Sequence, residues 1–305
     1  MITVITGGTG SIKLVRGLDS VLDEKMTIIT NVGDNIWLFG LYICPDIDTT
    51  LYGLSGQLDQ KRGWGIYNDT FNWMTSVNKF SDNTWFQIGD KDLDTHRLRT
   101  KLFKDGMKLS EITKLMSNRM NIKHHIIPAS NHAIETTITT NDRQMHLQEF
   151  WVKNKGNLPI KDVTYKGIEI AEPADNIINV IKNSDKIIIA PGNPISSIGP
   201  TIAITKLKKS LKESNARKIA LSPIIRNKPI SGPAGKMMRA KGYSVSNIGV
   251  AKFYSDFIDE LIIDSSDIKY MDKITKMGIK VHQTQILMKN SLNEIELAKY
   301  ILSDN

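Results

Sequence analysis

The sequence predicts an α/β fold: a Rossmann-like, doubly wound, mostly parallel sheet between two helical layers, carrying a mixed helical and strand-bearing insertion. Short, continuous apolar runs recur along the chain, and a turn rich in Gly, Pro, Asn or Asp closes each one. Such runs suit parallel strands covered on both faces. Helical periodicities separate many of them, and strand–turn–helix repetition is the signature of a doubly wound sheet.

The elements follow in chain order. Ile2–Thr6 reads as the first core strand and runs into Gly7-Gly8-Thr9-Gly10. Ile12, Val15, Leu18 and Val21 then recur every third residue, with Ser11 placed as an N-cap. Met26–Thr30 leads to Asn31-Val32-Gly33-Asp34. Residues from about 51 to 166 are less regular and are expected to form the insertion over the C-terminal edge of the sheet, one wall of an active cleft. Residues 1–50 and 167–305 would form the core of a single domain. Inside the insertion, His146, Gln148 and Phe150 alternate as in a strand that ends at Trp151. Lys186–Ala190 leads to Pro191-Gly192-Asn193-Pro194, and Pro200 is placed to open a helix with Ile204, Leu207 and Leu211 on one face. Ile219–Leu221 precedes Ser222-Pro223, Pro233 opens a helix that Gly242 ends, and Leu261–Ile263 precedes Asp264. Ser291-Leu292-Asn293-Glu294 reads as a capping box ahead of Ile295, Ala298 and Ile301.

Composition narrows the class of function. With 305 residues, 40% hydrophobic and 24% charged, the chain is expected to bury a substantial core as a soluble protein. No run approaches a membrane span, and the first residues have neither the basic flank nor the cleavage site of a signal peptide. The single cysteine, Cys44, excludes a disulfide framework, is expected to be inert and buried, and leaves the cytoplasm as the expected compartment. The net charge of +8 is spread along the chain, and its densest run, Lys206–Lys209 with Lys212, reads as a solvated helix face. No nucleic-acid platform is present, whereas a phosphorylated small molecule suits the charge.

Several strand ends carry chemistry. Gly7-Gly8-Thr9-Gly10 between strand and helix is a phosphate-loop pattern, with Lys13 in the first helical turn adding charge. It lacks both a full G-x-G-x-x-G and the P-loop lysine, so a tight turn without ligand is the competing explanation. Asp34, at the end of the second strand, is placed for a ribose hydroxyl or a cation. Asp46 and Asp48, read as lying on an extended segment, would project to one side and share a divalent cation, or divide into metal ligand and general base. Gly89-Asp90-Lys91-Asp92, followed by His96, Arg97 and Arg99, repeats the carboxylate theme. Pro191–Ser197, with Asn193, Ser196 and Ser197, is a second anion loop, and Ser231-Gly232-Pro233-Ala234-Gly235-Lys236 a third. The adjacent His124 and His125 face different ways in any regular element, which argues against a metal pair.

Together these motifs resemble the 2-phospho-L-lactate transferase family of coenzyme F420 biosynthesis. The match is carried, in family order, by Gly7–Gly10 with Lys13-Leu14, Asn31 with Asp34, Pro45–Thr49, Arg62–Ile66 with Asp69-Thr70-Phe71, Gly89–Asp92 with His96 and Arg99, Pro191–Pro194 with Ser197–Pro200, Ser222–Ile225 and Ser231–Lys236. The resemblance implies transfer of a 2-phospholactyl or phosphoenolpyruvyl group from a guanosine-diphosphate-linked donor to the ribityl terminus of the deazaflavin Fo, with release of GMP. It implies Mg²⁺ held by carboxylates such as Asp46 and Asp48, one of which would instead serve as the catalytic base. It also implies a homodimer, and Fo contacts from Asp48, Lys91 and Asp92; Trp37 and Trp64 are candidate walls for the deazaflavin ring. Gly7, Gly8, Thr9, Gly10, Lys13, Asn193, Ser196, Ser197 and Lys236 are the expected phosphate and nucleotide contacts.

Two residues depart from the family pattern. Asn35 stands where a second acid usually follows Asp34, and Arg226 where glycine is common, so Arg226 is expected to narrow the donor site or add a phosphate contact. The principal rival is a non-catalytic relative on the same fold that binds a nucleotide or nucleotide sugar. It would not need Asp46–Thr49 or Gly63-Trp64-Gly65. An NAD(P)-dependent oxidoreductase predicts the missing full glycine fingerprint.

Overall fold

The structure, a computed structural model, describes residues 1–80 and 85–303. Its centre is a seven-stranded sheet of β1 (Ile2–Thr6), β2 (Thr27–Thr30), β3 (His125–Pro128), β4 (Lys186–Ile189), β5 (Arg217–Leu221), β6 (Glu260–Asp264) and β7 (Lys280–Thr284). The strands lie in the order β7-β6-β5-β4-β1-β2-β3, every neighbouring pair parallel. Val4, Ile5, Ile28, Ile29, Ile187, Ile188 and Ile189 are all fully buried, the two-sided covering that continuous apolar strands require. The doubly wound expectation is met.

The segment 51–166 is not wholly an insertion, because His125–Pro128 within it supplies β3, the edge strand beside β2. His125–Pro128 starts on an exposed histidine and ends on proline, leaving only two apolar residues to signal a strand, and β7 is exposed or only partly buried along its length. The rest of that segment includes helices α3 (Asn72–Val77) and α4 (Asp90–Lys104), the helix Leu109–Arg119, and a three-stranded antiparallel sheet of Glu135–Thr139, Gln144–His146 and Asp162–Lys166. The alternating run after His146 does not continue as a strand: Glu149–Lys153 winds into a π-helical turn that buries Phe150.

Helix starts differ from expectation in instructive ways. Helix α1 (Gly8–Val21) begins three residues before Ser11; Gly7 is its N-cap, and the Ser11 hydroxyl donates to the Gly7 carbonyl at 2.8 Å. Helix α2 (Pro45–Leu54) takes up Asp46 and Asp48 in its first turn, so they do not lie on an extended segment. Residues two apart on a helix point about 200° from one another, which sends these two carboxylates to different partners. Pro200 opens only the short helix Gly199–Ala203, and a second helix, Thr205–Glu213, carries the buried Leu207 and Leu211. The last helix, Ser291–Leu302, is capped by Asn290, while Glu294 pairs with Arg16 at 3.1 Å instead of closing a capping box.

Arg226 sits at φ +49° and Asn227 at φ +61° in the turn of a small hairpin, Ile224–Pro229. Left-handed backbone costs a non-glycine residue roughly 1–2 kcal/mol, which accounts physically for glycine at such a position. Arg226→Gly is therefore expected to stabilise the protein by about 0.5–1 kcal/mol, after the added chain entropy of glycine is subtracted. A thermal melt checks this; an unchanged or lowered midpoint would contradict it.

Candidate active site

Parallel α/β sheets bind ligands where the strand order reverses, beyond the carboxyl ends of the strands. Here β2 and β4 flank β1, and a cleft of about 1080 Å³ opens above that point. The turn from β1 into α1 (Gly7–Gly10) and the segment after β4 (Pro191–Ser197) form its floor. They are in close contact: a Cβ on Gly7 would collide with the Ser197 carbonyl, and one on Gly10 would lie 2.9 Å from the Pro191 carbonyl oxygen. Gly8 takes φ +74° between them. The glycines thus serve the approach of two backbones as well as any ligand.

Asp46 reaches down to this floor. Its carboxylate accepts hydrogen bonds from the Gly8 backbone N–H and from Asn31 Nδ2, the latter at 2.8 Å. The same Asn31 amide lies 3.2 Å from Asp34 Oδ1 and 3.1 Å from the Ser196 carbonyl. Asn31 therefore gathers two acids beside the loop after β4. Burial pushes Asp46 up to about 6, although the Asn31 and Gly8 hydrogen bonds oppose it and Asp48 adds to it. Burial and the neighbouring Asp46 charge also push Asp34 well above the usual carboxylate range. Among the described residues no cationic side chain pairs with either acid.

That pairing fits a divalent cation. Mg²⁺ is commonly held by one or two carboxylates plus substrate phosphates, and a two-carboxylate pocket meets that need. No cluster of three or more metal-binding side chains occurs among the described residues. The expected ligand pair Asp46 and Asp48 is not brought together in this way; Asp34 is the acid that shares Asn31 with Asp46.

Asp48 faces a second network. Arg99, fully buried on α4, holds both its oxygens, with Nη1 at 3.1 Å from Oδ2. His96 Nδ1 lies 3.6 Å from Asp48, and its Nε2 lies 3.3 Å from Asp92. Tyr52 donates to Asp92 at 2.6 Å. Burial raises the Asp48 pKa against the lowering effect of Arg99 and His96. Asp92 is held below its usual value: burial opposes this, but His96, Tyr52 and Arg99 together outweigh it. Asp92, His96 and Arg99 stand at i, i+4 and i+7, one face of a helix, and that spacing could have revealed the network in advance.

Of the other expected site residues, Gly7, Gly8, Thr9, Gly10, Lys13, Asn193, Ser196, Ser197, Asp46, Asp48, Asp92 and Trp64 line the cleft. Lys13 Nζ donates to the Met288 carbonyl at 2.9 Å, tying the 286–289 loop to the floor. Trp37, Lys91 and Lys236 do not line it. Trp37 stacks on Tyr42 at 5.0 Å between ring centres. Lys91 Nζ donates to the Asn68 carbonyl at 3.0 Å, and Lys236 Nζ to the Gly156 carbonyl at 2.6 Å. Neither Asn35 nor Arg226 is part of the wall: Asn35 donates to the Tyr42 hydroxyl at 3.1 Å, and Arg226 is exposed. Asp90 is structural, accepting from Trp73 N at 2.9 Å and Asn72 N at 3.0 Å at the start of α3. Phe86, Gln148, Trp151, Met288 and Lys289 join the cleft wall without any local motif to announce them. Arg62 stacks 5.0 Å from the Trp64 ring centre and 5.2 Å from that of Phe71, fixing the loop that carries Trp64.

The Asp46 environment predicts a pH effect. A folded pKa near 6 against an ordinary 3.8 means that the folded state binds the extra proton. This contribution to stability is full below about pH 4 and is lost as pH rises through 6. Without divalent cation, Asp46→Asn should therefore gain in melting temperature relative to wild type between pH 4 and pH 7. A pH-independent difference between the two would show that Asp46 ionises normally.

Comparison with known proteins shows the family. The family model "2-phospho-L-lactate transferase CofD" matches residues 2–298. The 2-phospho-L-lactate transferase of Methanocaldococcus jannaschii is 38% identical over 307 residues, covering 99% of this chain and 97% of its own. That of Methanosarcina mazei is 36% identical over 300 residues, covering 98% of each chain. A solved UPF0052-family protein from Bacillus halodurans aligns over 99% of both chains with a TM-score of 0.71 at 17% identity, a likeness of fold. No helix among the described residues is long and apolar enough to cross a membrane. The chain belongs to the 2-phospho-L-lactate transferase CofD family and is an enzyme of the transferase class.

Proposed function

We propose that this transferase moves the 2-phospholactyl (or phosphoenolpyruvyl) group from a guanosine-diphosphate-linked donor to the terminal ribityl hydroxyl of the deazaflavin Fo, in coenzyme F420 biosynthesis. The observation that carries the reading is the cleft itself, whose lining gathers aromatic rings, small polar loop residues and the acids Asp34, Asp46 and Asp48. Tyr52, Trp64, Phe86 and Trp151 in the lining are rings suited to a flat deazaflavin. Gly7–Gly10, Asn193, Ser196, Ser197, Ser231 and Gly232 in the lining are small and polar residues suited to a nucleotide diphosphate.

In the proposed reaction the ribityl oxygen bonds to the phosphorus that bears the lactyl group. The bridging bond from that phosphorus to GMP breaks, and GMP leaves with the electron pair. The hydroxyl proton passes to Asp48, which Arg99 and His96 hold in one orientation. Mg²⁺ would neutralise diphosphate charge beside Asp34 and Asp46. Phosphoryl-type transfer depends mainly on positioning and charge neutralisation, and these residues supply both. A homodimer and a cytoplasmic location accompany this reading. Purified protein incubated with Fo, Mg²⁺ and each guanylylated donor should release GMP and yield a phosphodiester-linked deazaflavin. Failure with both donors would reject the proposal, and competition between them identifies the preferred one. The non-catalytic alternative predicts nucleotide binding with no product in the same assay.

A further inference from the structure

We infer that Asp267 is a positioning residue: from a buried site on the segment after β6, it holds the hairpin whose continuation, Ile230–Pro233, lines the cleft. This rests on the proposed assignment of the loop carrying Ser231 and Gly232 to the guanosine-diphosphate-linked donor. Asp267 is completely buried, yet among the described residues no cation pairs with it. Its Oδ2 accepts the Arg226 backbone N–H at 2.8 Å and Asn247 Nδ2 at 3.0 Å. Asn247 Oδ1 accepts from the Ser222 hydroxyl at 2.5 Å, and that hydroxyl accepts the Ile224 N–H at 3.1 Å. The chain of bonds thus grips the hairpin Ile224–Pro229 at its base and at its turn.

The turn needs gripping, because Arg226 and Asn227 both take left-handed backbone. Tyr270, three residues beyond Asp267, adds a second hold by donating to Asn227 Oδ1 at 2.5 Å. Asp264, three residues before it, accepts the Ile286 N–H at 3.4 Å and so touches the other cleft loop on this side. One short segment therefore braces both loops, 226–233 and 286–289, whose residues Ile230–Pro233 and Ile286–Lys289 line the cleft.

Asp267 also carries a cost that folding alone does not require. Its Oδ1 is buried without a hydrogen-bond partner, and an unsatisfied buried oxygen destabilises a fold. Unfavourable groups of this kind persist where they fix a functional geometry. Asparagine would keep one acceptor oxygen for the Arg226 N–H, whereas alanine removes the hold.

Asp267→Ala is expected to raise KM for the guanylylated donor, and the Kd of GDP by calorimetry, at least tenfold. kcat and KM for Fo should stay within twofold. Amides of residues 226–233 should exchange hydrogen at least tenfold faster, while those of β1 and β2 stay protected. Asp267→Asn should recover most of both effects. Should Asp267→Ala fail to fold, Tyr270→Phe, which removes only the second hold, is expected to raise the GDP Kd and the exchange of 226–233 about threefold. Equal increases in both KM values with a fallen kcat, or unchanged donor KM and exchange in the variant that folds, would overturn the inference. If wild-type protein neither turns over nor binds GDP, the proposed function fails, and the exchange measurement alone still decides whether Asp267 holds the loop.

Discussion

Asp46→Asn should lower turnover by about a thousandfold or more while the protein still folds. The substitution keeps shape and one acceptor oxygen for the Gly8 N–H, but removes the charge that faces Asp34 across Asn31. Loss of one well-placed electrostatic group typically costs 10²–10³ in rate. Here the same group is also proposed to hold the cation, which raises the expected loss. Each tenfold is about 1.4 kcal/mol of barrier, so the thousandfold effect corresponds to about 4 kcal/mol. Stability should move the other way, because a buried carboxylate raised to about 6 is costly to ionise at neutral pH. The informative result is this split between lost activity and a maintained or raised melting temperature at pH 7. A rate within tenfold of wild type would remove Asp46 from the mechanism.

Arg99→Met should cost about 3–5 kcal/mol of stability, the range for breaking a buried ion pair from one side. Arg99 is fully buried and is bound by both oxygens of Asp48, with further bonds to the Tyr42 carbonyl and His96 at 3.3 Å each. Methionine fills the volume but leaves Asp48 buried beside Asp92 with no guanidinium. Adding Asp48→Asn to Arg99→Met should recover a large part of the loss, because the stranded charge disappears. Activity should not return, since the carboxylate proposed to receive the hydroxyl proton is gone. Denaturant titration of the single and double variants checks the cycle; additive losses would show that the two residues are not coupled.

The contrast between Asp46 and Asp48 shows where local sequence stops being informative. Both acids were singled out in the sequence, as were Gly7–Gly10 and Asn193–Ser197, and all of them line one cleft. The expected sharing of one cation by Asp46 and Asp48 depended on an extended backbone. Pro45 at the first position of α2 sets a helix instead, and helical geometry turns the two side chains towards Asn31 and Arg99 respectively. Similarly, Lys91, Lys236 and Trp37 sit in suggestive motifs, yet each is spent on a local contact outside the cleft.

The fold class, the order of the loops that meet at the cleft and the family are legible in the amino-acid sequence alone. Those features reside in short-range patterns: apolar runs the length of a strand, glycines where backbones must approach, and motifs in a given order. That Asp34 shares Asn31 with Asp46, and that Arg99 of α4 pairs with Asp48, emerges from the packing of distant elements. The same holds for the brace that Asp267 gives a hairpin 41 residues before it. The physical reason is range. Hydrogen-bonded and ionic partners are fixed by packing between elements far apart in the chain, and the direction a side chain takes depends on whether its backbone is helix or strand, which no isolated motif specifies.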